Sequence, residues 1–298
     1  MDQLRISLFG RFEIRLGDRP LTDACNRRSQ ELLCYLLLHR NRPHPRETLA
    51  SVLCLNCPDA QSKKCLRQAL WQLQTALESC APGCPLLEAG QEWVQVNPQA
   101  DIALDVALFE QAFEASRDIP GSRLDAGAFR AMRSAARLYQ GDLLEGCFQD
   151  WCLYERERLQ NMLLVMLHKL MAYCEAHQEY ETGLGYGERI LGYDPASERA
   201  HRSLMRLHYL ADDRTAALRQ YERCVAALER ELGVKPSLRT TALYDQMRAD
   251  QPPLAIPAAH PELPLASLLG QLNRLNASLE ETLVQVRADI RRVEAMMA

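Results

Sequence analysis

The stretch LMAYCEAHQEYETGLGYGERILGYDPASERAHRSLMRLHYLADDRTAALRQYER, Leu170 to Arg223, superimposes on itself when shifted by 34 residues. Leu170 and Met171 fall on Leu204 and Met205, Leu184 falls on Leu218, and Glu188-Arg189 falls on Glu222-Arg223. That period suits a pair of helices joined by short turns. One such pair cannot bury its apolar face alone and must stack on a neighbour. The region therefore builds a surface for a partner, not a reaction centre. Local signals place its breaks. Asp194-Pro195 resets the chain between repeats, Asp212-Asp213 turns the second pair, Gly233 follows Leu232 as a C-cap, and Pro236 prevents continuation.

Upstream, apolar residues keep helical spacing from Leu104 through Val106, Phe109 and Phe113, then through Phe129, Met132, Ala136 and Tyr139, with a loop at Pro120-Gly121-Ser122 and a break at Gly141-Asp142. The run Glu155-Arg156-Glu157-Arg158 reads as a solvated helix face with internal pairing. His168, His177, His201 and His208 lack a converging carboxylate or cysteine set and read as surface or lining residues.

The N-terminus has a different period. Leu4, Ile6 and Leu8 alternate with polar residues, Gly10 turns the chain, and Phe12, Ile14 and Leu16 alternate again, which predicts two antiparallel strands. Gly17-Asp18 leads into a short third strand ending near Leu21. Three helices are then expected, from Asn26 to His39-Arg40, from Arg46 to about Leu53, and from Asp59, as an N-cap carboxylate, to about Ser79. Leu86 to Glu88 and Trp93 to Val96 close a last hairpin about Gly90. On the third helix Leu66, Leu70, Leu73 and Leu77 form one apolar stripe. The opposite sector carries Lys64, Gln68, Trp71 and Thr75, flanked by Lys63 and Arg67. Lysine and arginine neutralise phosphates, glutamine pairs with an adenine edge, and threonine touches a thymine methyl. Trp71 is expected either to pack on the neighbouring domain or to meet DNA or polymerase.

Strands, three helices and a hairpin describe a winged helix-turn-helix with an extra sheet. The residues LRISLFGRFEIRLGDRPL, RRSQELLCYLLLHRNRPHPRETLA and LRQALWQLQTAL resemble the response-regulator-type winged helix of the antibiotic-regulatory-protein (SARP/AfsR-like) bacterial transcriptional activators. ARLYQGDLLEG, DWCLYERERLQ, the two repeats and YERCVAALERELGVKPS resemble the tetratricopeptide-like (TPR-like) bacterial transcriptional activation domain (BTAD) that follows it in the same activators. The resemblance implies a mainly α fold with a small β part, a winged helix at residues 1–98 and a TPR-like domain at 103–250; beyond it, the prolines and the leucine spacing themselves predict a proline-rich linker at 251–264 and a C-terminal coiled-coil helix at 265–298. It implies a sequence-specific DNA-binding activator whose repeats recruit RNA polymerase or another partner, with Arg46, Lys63, Lys64, Arg67, Gln68, Trp71 and Thr75 as the residues facing a double-stranded promoter operator.

This chain departs from the family in two places. Gln72, Gln74 and Thr75 stand where members often carry arginine, and the wing tip Gly90-Gln91-Glu92 has no cation for a minor groove. These departures leave a second possibility, an adaptor whose winged helix has lost strong DNA binding.

In the tail, Leu268, Leu272, Leu275, Leu279, Leu283, Val286, Ile290 and Val293 recur at steps of four and three, a coiled-coil seam with a stutter. Self-association is the expected use of the seam, with packing back on the repeats as the alternative.

Composition fits this organisation. The chain is 47% apolar and 25% charged, the balance of an ordinary globular protein. Residues 1–98 hold 12 Lys+Arg against 10 Asp+Glu, and the remainder 23 against 29, so nucleic acid is expected at the N-terminal end. No apolar run reaches a membrane span and no signal-peptide core opens the chain, which predicts a cytoplasmic protein with no membrane partner. Eleven cysteines, an odd number, predict reduced thiols. Cys54-x-x-Cys57 and Cys80-x-x-x-Cys84 have zinc-like spacing, but a helix of about 30 Å between them holds the pairs apart, so no metal is expected. No phosphate loop, metal-spaced set or nucleophile motif appears, so neither enzyme nor cofactor is expected.

Overall fold

The computed structural model describes residues 3–21, 26–54, 58–78 and 85–250. The linker, the coiled-coil seam and Cys57, Cys80 and Cys84 lie outside the described residues. Residues up to Tyr244 pack as one unit, and a second begins at Asp245.

Strand β1 (Leu4–Ser7) pairs antiparallel with β2 (Glu13–Leu16), Leu4 opposite Leu16 and Ile6 opposite Ile14, and β3 (Arg19–Pro20) continues the sheet. Gly10, at φ +78°, makes the turn between the first two. Helix α1 (Arg27–Leu38) starts at Asn26, whose side chain accepts the Ser29 N–H at 2.9 Å. Strand β4 (His44–Pro45) precedes α2 (Arg46–Leu53) and α3 (Asp59–Glu78). The Pro58 carbonyl accepts the Gln61 and Ser62 N–H groups, so Asp59 is the first helical residue and not the cap. Strands β5 (Leu87–Ala89) and β6 (Trp93–Val96) form the wing, and the sheet order is β4-β6-β5.

Strand β7 (Ile102–Leu104) adds to β1 in parallel and runs directly into α4 (Asp105–Ala115), joining the winged helix to the helical part through one sheet. At this junction the buried Asp105 carboxylate accepts the Leu8 N–H at 2.8 Å, the Phe9 N–H at 3.0 Å and the Val106 N–H at 2.7 Å. Burial pushes its carboxyl above the usual range, while these N–H groups pull it back. Segment 142–145 continues the seam: Gly10 N–H donates to Asp142 O, Leu144 N–H to Leu8 O, and Glu145 N–H to Gly10 O, each at 2.8 Å. Phe9 packs between Phe109 and Tyr139, at ring separations of 5.2 and 4.7 Å. Glu110 joins Arg40 of the winged helix at 2.6 Å to Arg158 of the helical part at 2.5 Å.

The helical part continues with α5 (Ala126–Leu138), α6 (Asp150–Ala176), α7 (Tyr180–Tyr193), α8 (Glu198–Leu210), α9 (Arg214–Leu232) and α10 (Leu238–Arg248). Pairs α6–α7 and α8–α9 are the two copies of the 34-residue unit, and the repeated Leu170 and Leu204, Met171 and Met205 are all buried. Asp213 caps α9 by accepting the Ala216 N–H at 2.8 Å, and Gly233 ends it in the left-handed conformation, φ +66°.

Two further expectations change. Arg156 is not on a solvated face: its guanidinium donates to Leu143 O, Leu144 O and Cys147 O at 2.9 to 3.2 Å, holding the loop before α6. That loop leaves carbonyls turned inward, and a charged donor satisfies them. His201 is buried, its Nε2–H donating to Pro195 O at 3.0 Å while Nδ1 accepts from Gln220 Nε2 at 2.8 Å. Burial lowers its pKa, so it is a neutral strut between α8 and α9.

Candidate nucleic-acid interface

The orientation of α3 follows from its apolar stripe. Leu66, Leu70, Leu73 and Leu77 are buried, and Ala69 joins them. A polar pin fixes the roll of the helix: buried Ser29 on α1 donates to Gln72 Oε1 at 2.9 Å and to Ala69 O at 3.4 Å. Gln72 therefore serves packing, a role its sequence neighbours do not reveal. With the stripe and the pin engaged, Lys63, Lys64, Arg67, Gln68, Trp71 and Thr75 are all exposed.

These six side chains offer complementary chemistry. Lys64, Gln68, Trp71 and Thr75 follow one another at steps of four and three, so they line one ridge, with Lys63 and Arg67 beside it. Trp71 is 65% exposed, so it does not pack on the neighbouring domain. The Thr75 hydroxyl donates to Trp71 O at 2.9 Å, which leaves its methyl group as the outward feature. Lys63 meets Glu47 of α2 at 3.3 Å, but both ends are well exposed and such a pair holds little energy. A phosphate can displace it.

Arg46 stands apart from this ridge. Its backbone N–H donates to Glu92 O at 2.9 Å and its Nε–H to Gly90 O at 3.0 Å, so it ties the wing tip to the start of α2. Trp93, 41% exposed, lies over Gly90, where a Cβ would fall 2.9 Å from its Cε2 atom. A larger residue there would push the Trp93 ring aside. Exposed Glu92 puts a negative charge at the wing tip.

Among the described residues, no three or more His, Cys, Asp or Glu side chains converge on a metal position, and no helix is long and apolar enough to cross a membrane.

A winged helix with an open polar ridge, sharing a sheet with a helix-pair solenoid, defines a two-part transcriptional regulator. Residues 104–248 match the bacterial transcriptional activator domain. It is similar to the transcriptional regulatory protein MoaR1 of Mycobacterium tuberculosis (strain ATCC 25618 / H37Rv), 24% identical over 260 residues that cover 83% of this chain and 76% of that protein. The protein of the same name from Mycobacterium bovis (strain BCG / Pasteur 1173P2) has the same identity and coverage. Among solved structures, Mycobacterium tuberculosis EmbR in complex with a low affinity phosphopeptide shares the fold at a TM-score of 0.65 and 20% identity. That match covers 85% of this chain and 66% of the EmbR chain, so this chain spans slightly less than two thirds of it.

Proposed function

We propose that the protein is a sequence-specific DNA-binding activator: α3 enters the major groove of a promoter operator, and the helix pairs behind it hold RNA polymerase or another partner. The observation carrying this is the exposure of Lys63, Lys64, Arg67, Gln68 and Thr75 together with that of Trp71 among the described residues. Phosphate contacts from Lys63, Lys64 and Arg67 set the register, while Gln68 and Thr75 carry base discrimination. Arg46 contributes by placing the wing. The seam from Leu268 to Val293 brings a second copy, and two weak half-sites together give useful affinity.

The test is the triple variant Lys63→Ala, Lys64→Ala, Arg67→Ala in gel shift across a salt series and in a promoter assay. Each lost phosphate contact removes about 0.9 from the slope of log K against log salt, so a loss of roughly 2 to 3 is expected, with promoter output falling in parallel. One feature favours a protein-binding adaptor instead: Glu92 and Glu47 place negative charge at the wing tip and beside Lys63. Under that reading the triple variant keeps its promoter output, and the wild type retards no genomic fragment even at low salt.

A further inference from the structure

Cys147 and Cys152 bracket the start of α6. Cys147 is half-buried in the loop before the helix, and Cys152 is fully buried in its first turn, close enough to act on Cys147 electrostatically, with its thiol donating to Leu143 O at 3.9 Å. The Cys147 sulfur lies at the N-terminal end of a 27-residue helix, and the Arg156 guanidinium donates to the Cys147 carbonyl at 3.1 Å. A helix N-terminus and a nearby guanidinium are the surroundings that favour a thiolate. In front of the sulfur lies a cleft of about 110 Å³, walled by Phe12, Arg27 and Glu31 of the winged helix and by Leu144 and Trp151 of the helical part. Cys174 and Cys224, by contrast, are buried among apolar residues with their thiols pushed up, and stay inert.

We propose that Cys147 and Cys152 are a hydroperoxide-reactive thiol pair, Cys147 attacking and Cys152 resolving. The Cys147 thiolate attacks one oxygen of hydrogen peroxide, so that an S–O bond forms, the O–O bond breaks and hydroxide leaves. Sulfur is oxidised by two electrons and the peroxide reduced. The Cys152 thiol gives its proton to that hydroxide, making water, and its sulfur then attacks the Cys147 sulfenic acid. An S–S bond forms, the S–O bond breaks, and a second hydroxide leaves to take up a solvent proton. The overall change is two thiols and one peroxide to one disulfide and two waters.

The electrostatics agree with this geometry. The neighbouring Cys152 thiol, with the Gln149 N–H and Arg156 adding to it, lowers Cys147 to about 6 against burial and the Glu31 charge, while the Cys147 thiol and burial move Cys152 up. The disulfide would form at the seam where Gln149 Nε2 donates to Glu31 of α1 at 3.1 Å, so oxidation reports directly to the winged helix.

The experiment uses the whole 298-residue chain. Trypsin releases residues 138–156 as one peptide holding both cysteines and no other. After hydrogen peroxide and alkylation, the wild-type peptide is expected lighter by two hydrogens and unalkylated until a reductant is added. Cys152→Ser should leave a Cys147 sulfenic acid that dimedone captures. Before oxidation, iodoacetamide at pH 6 should label Cys147 about tenfold faster in the folded protein than in urea, the gain in thiolate fraction outweighing the lower nucleophilicity. Two alkylatable thiols after peroxide, Cys147 linked to another copy, or equal labelling rates in folded and unfolded protein would overturn the proposal.

Discussion

Removing the Asp105 carboxylate by Asp105→Ala tests the seam between the winged helix and the helical part. The group is buried and accepts three backbone N–H groups, two of them from Leu8 and Phe9, which are themselves buried on the far side of the junction. Alanine leaves those two donors inside without an acceptor, at about 1–3 kcal/mol each. Part of this is returned, because the variant no longer carries a charge that burial disfavours. The net loss expected is about 2–4 kcal/mol, a large share of the roughly 5–15 kcal/mol that holds a domain. Asp105→Asn keeps one acceptor oxygen but turns an amide N–H toward a backbone N–H, so it should fall between wild type and alanine. Urea unfolding followed by circular dichroism measures the loss, and amide hydrogen exchange at Leu8 and Phe9 locates it. The reasoning fails if Asp105→Ala unfolds within about 0.5 kcal/mol of wild type, the range of an ordinary surface change, and both amides stay protected.

Three further outcomes follow from the helical part and the tail. A Cβ on Gly187 would lie 2.4 Å from Leu204 Cδ2 and 2.7 Å from Met171 Cε, so Gly187→Ala should cost about 1–3 kcal/mol in urea unfolding. Gly185→Ala, on the same helix with nothing within 4 Å, should be neutral or stabilising. Burial, with Arg199 nearby, lowers His168 from 6.5 to about 4. Its neutral form thus contributes stability that is present above pH 6.5 and lost as pH falls through 4, at most about 3 kcal/mol, and His168→Gln should flatten the pH dependence of unfolding in that window. Truncation before Ser267 should lower the mass measured by light scattering, and an unchanged mass would remove the leucine seam as the self-association element.

What could be read from the residues alone depended on how far each signal's partner lies along the chain. The turn at Gly10, the α3 stripe and the 34-residue repeat each rest on neighbours within one or two turns, or on a repeated copy, and all stand in the structure. Strand β7 has only three residues, and what makes it a strand is β1, nearly a hundred positions earlier. Strand β4 has two, one of them a proline that locally signals a break. Arg156 sits in a run of alternating charges that local pairing rules place on a solvated face. Its partners are the carbonyls of Leu143, Leu144 and Cys147, which become available only once segment 142–145 has bonded to Leu8 and Gly10. On the ridge, residue type and helical step found the exposed set, but neither could separate Gln68, which faces solvent, from Gln72, which holds Ser29.

One local signal did contain the seam. From Leu32 to Leu38, α1 reads Leu-Leu-Cys-Tyr-Leu-Leu-Leu with no polar face, and every one of these residues is buried. A helix on one side of a small domain shows an apolar stripe, and one apolar all round must be covered on more than one side. Helices α2 and α3 with the wing cover one side of α1. The other cover comes from the helical part, where Trp151 meets Tyr35 at a ring separation of 5.5 Å and Arg40, just past the helix end, is held by Glu110. The pattern of α1 therefore required a second layer before any fold was known, and the shared sheet through β7 is how the chain supplies it. A division at residue 98 would expose both the β1 edge and this helix face. The winged helix and the helical part thus form one folded unit, joined by packed side chains and a shared sheet.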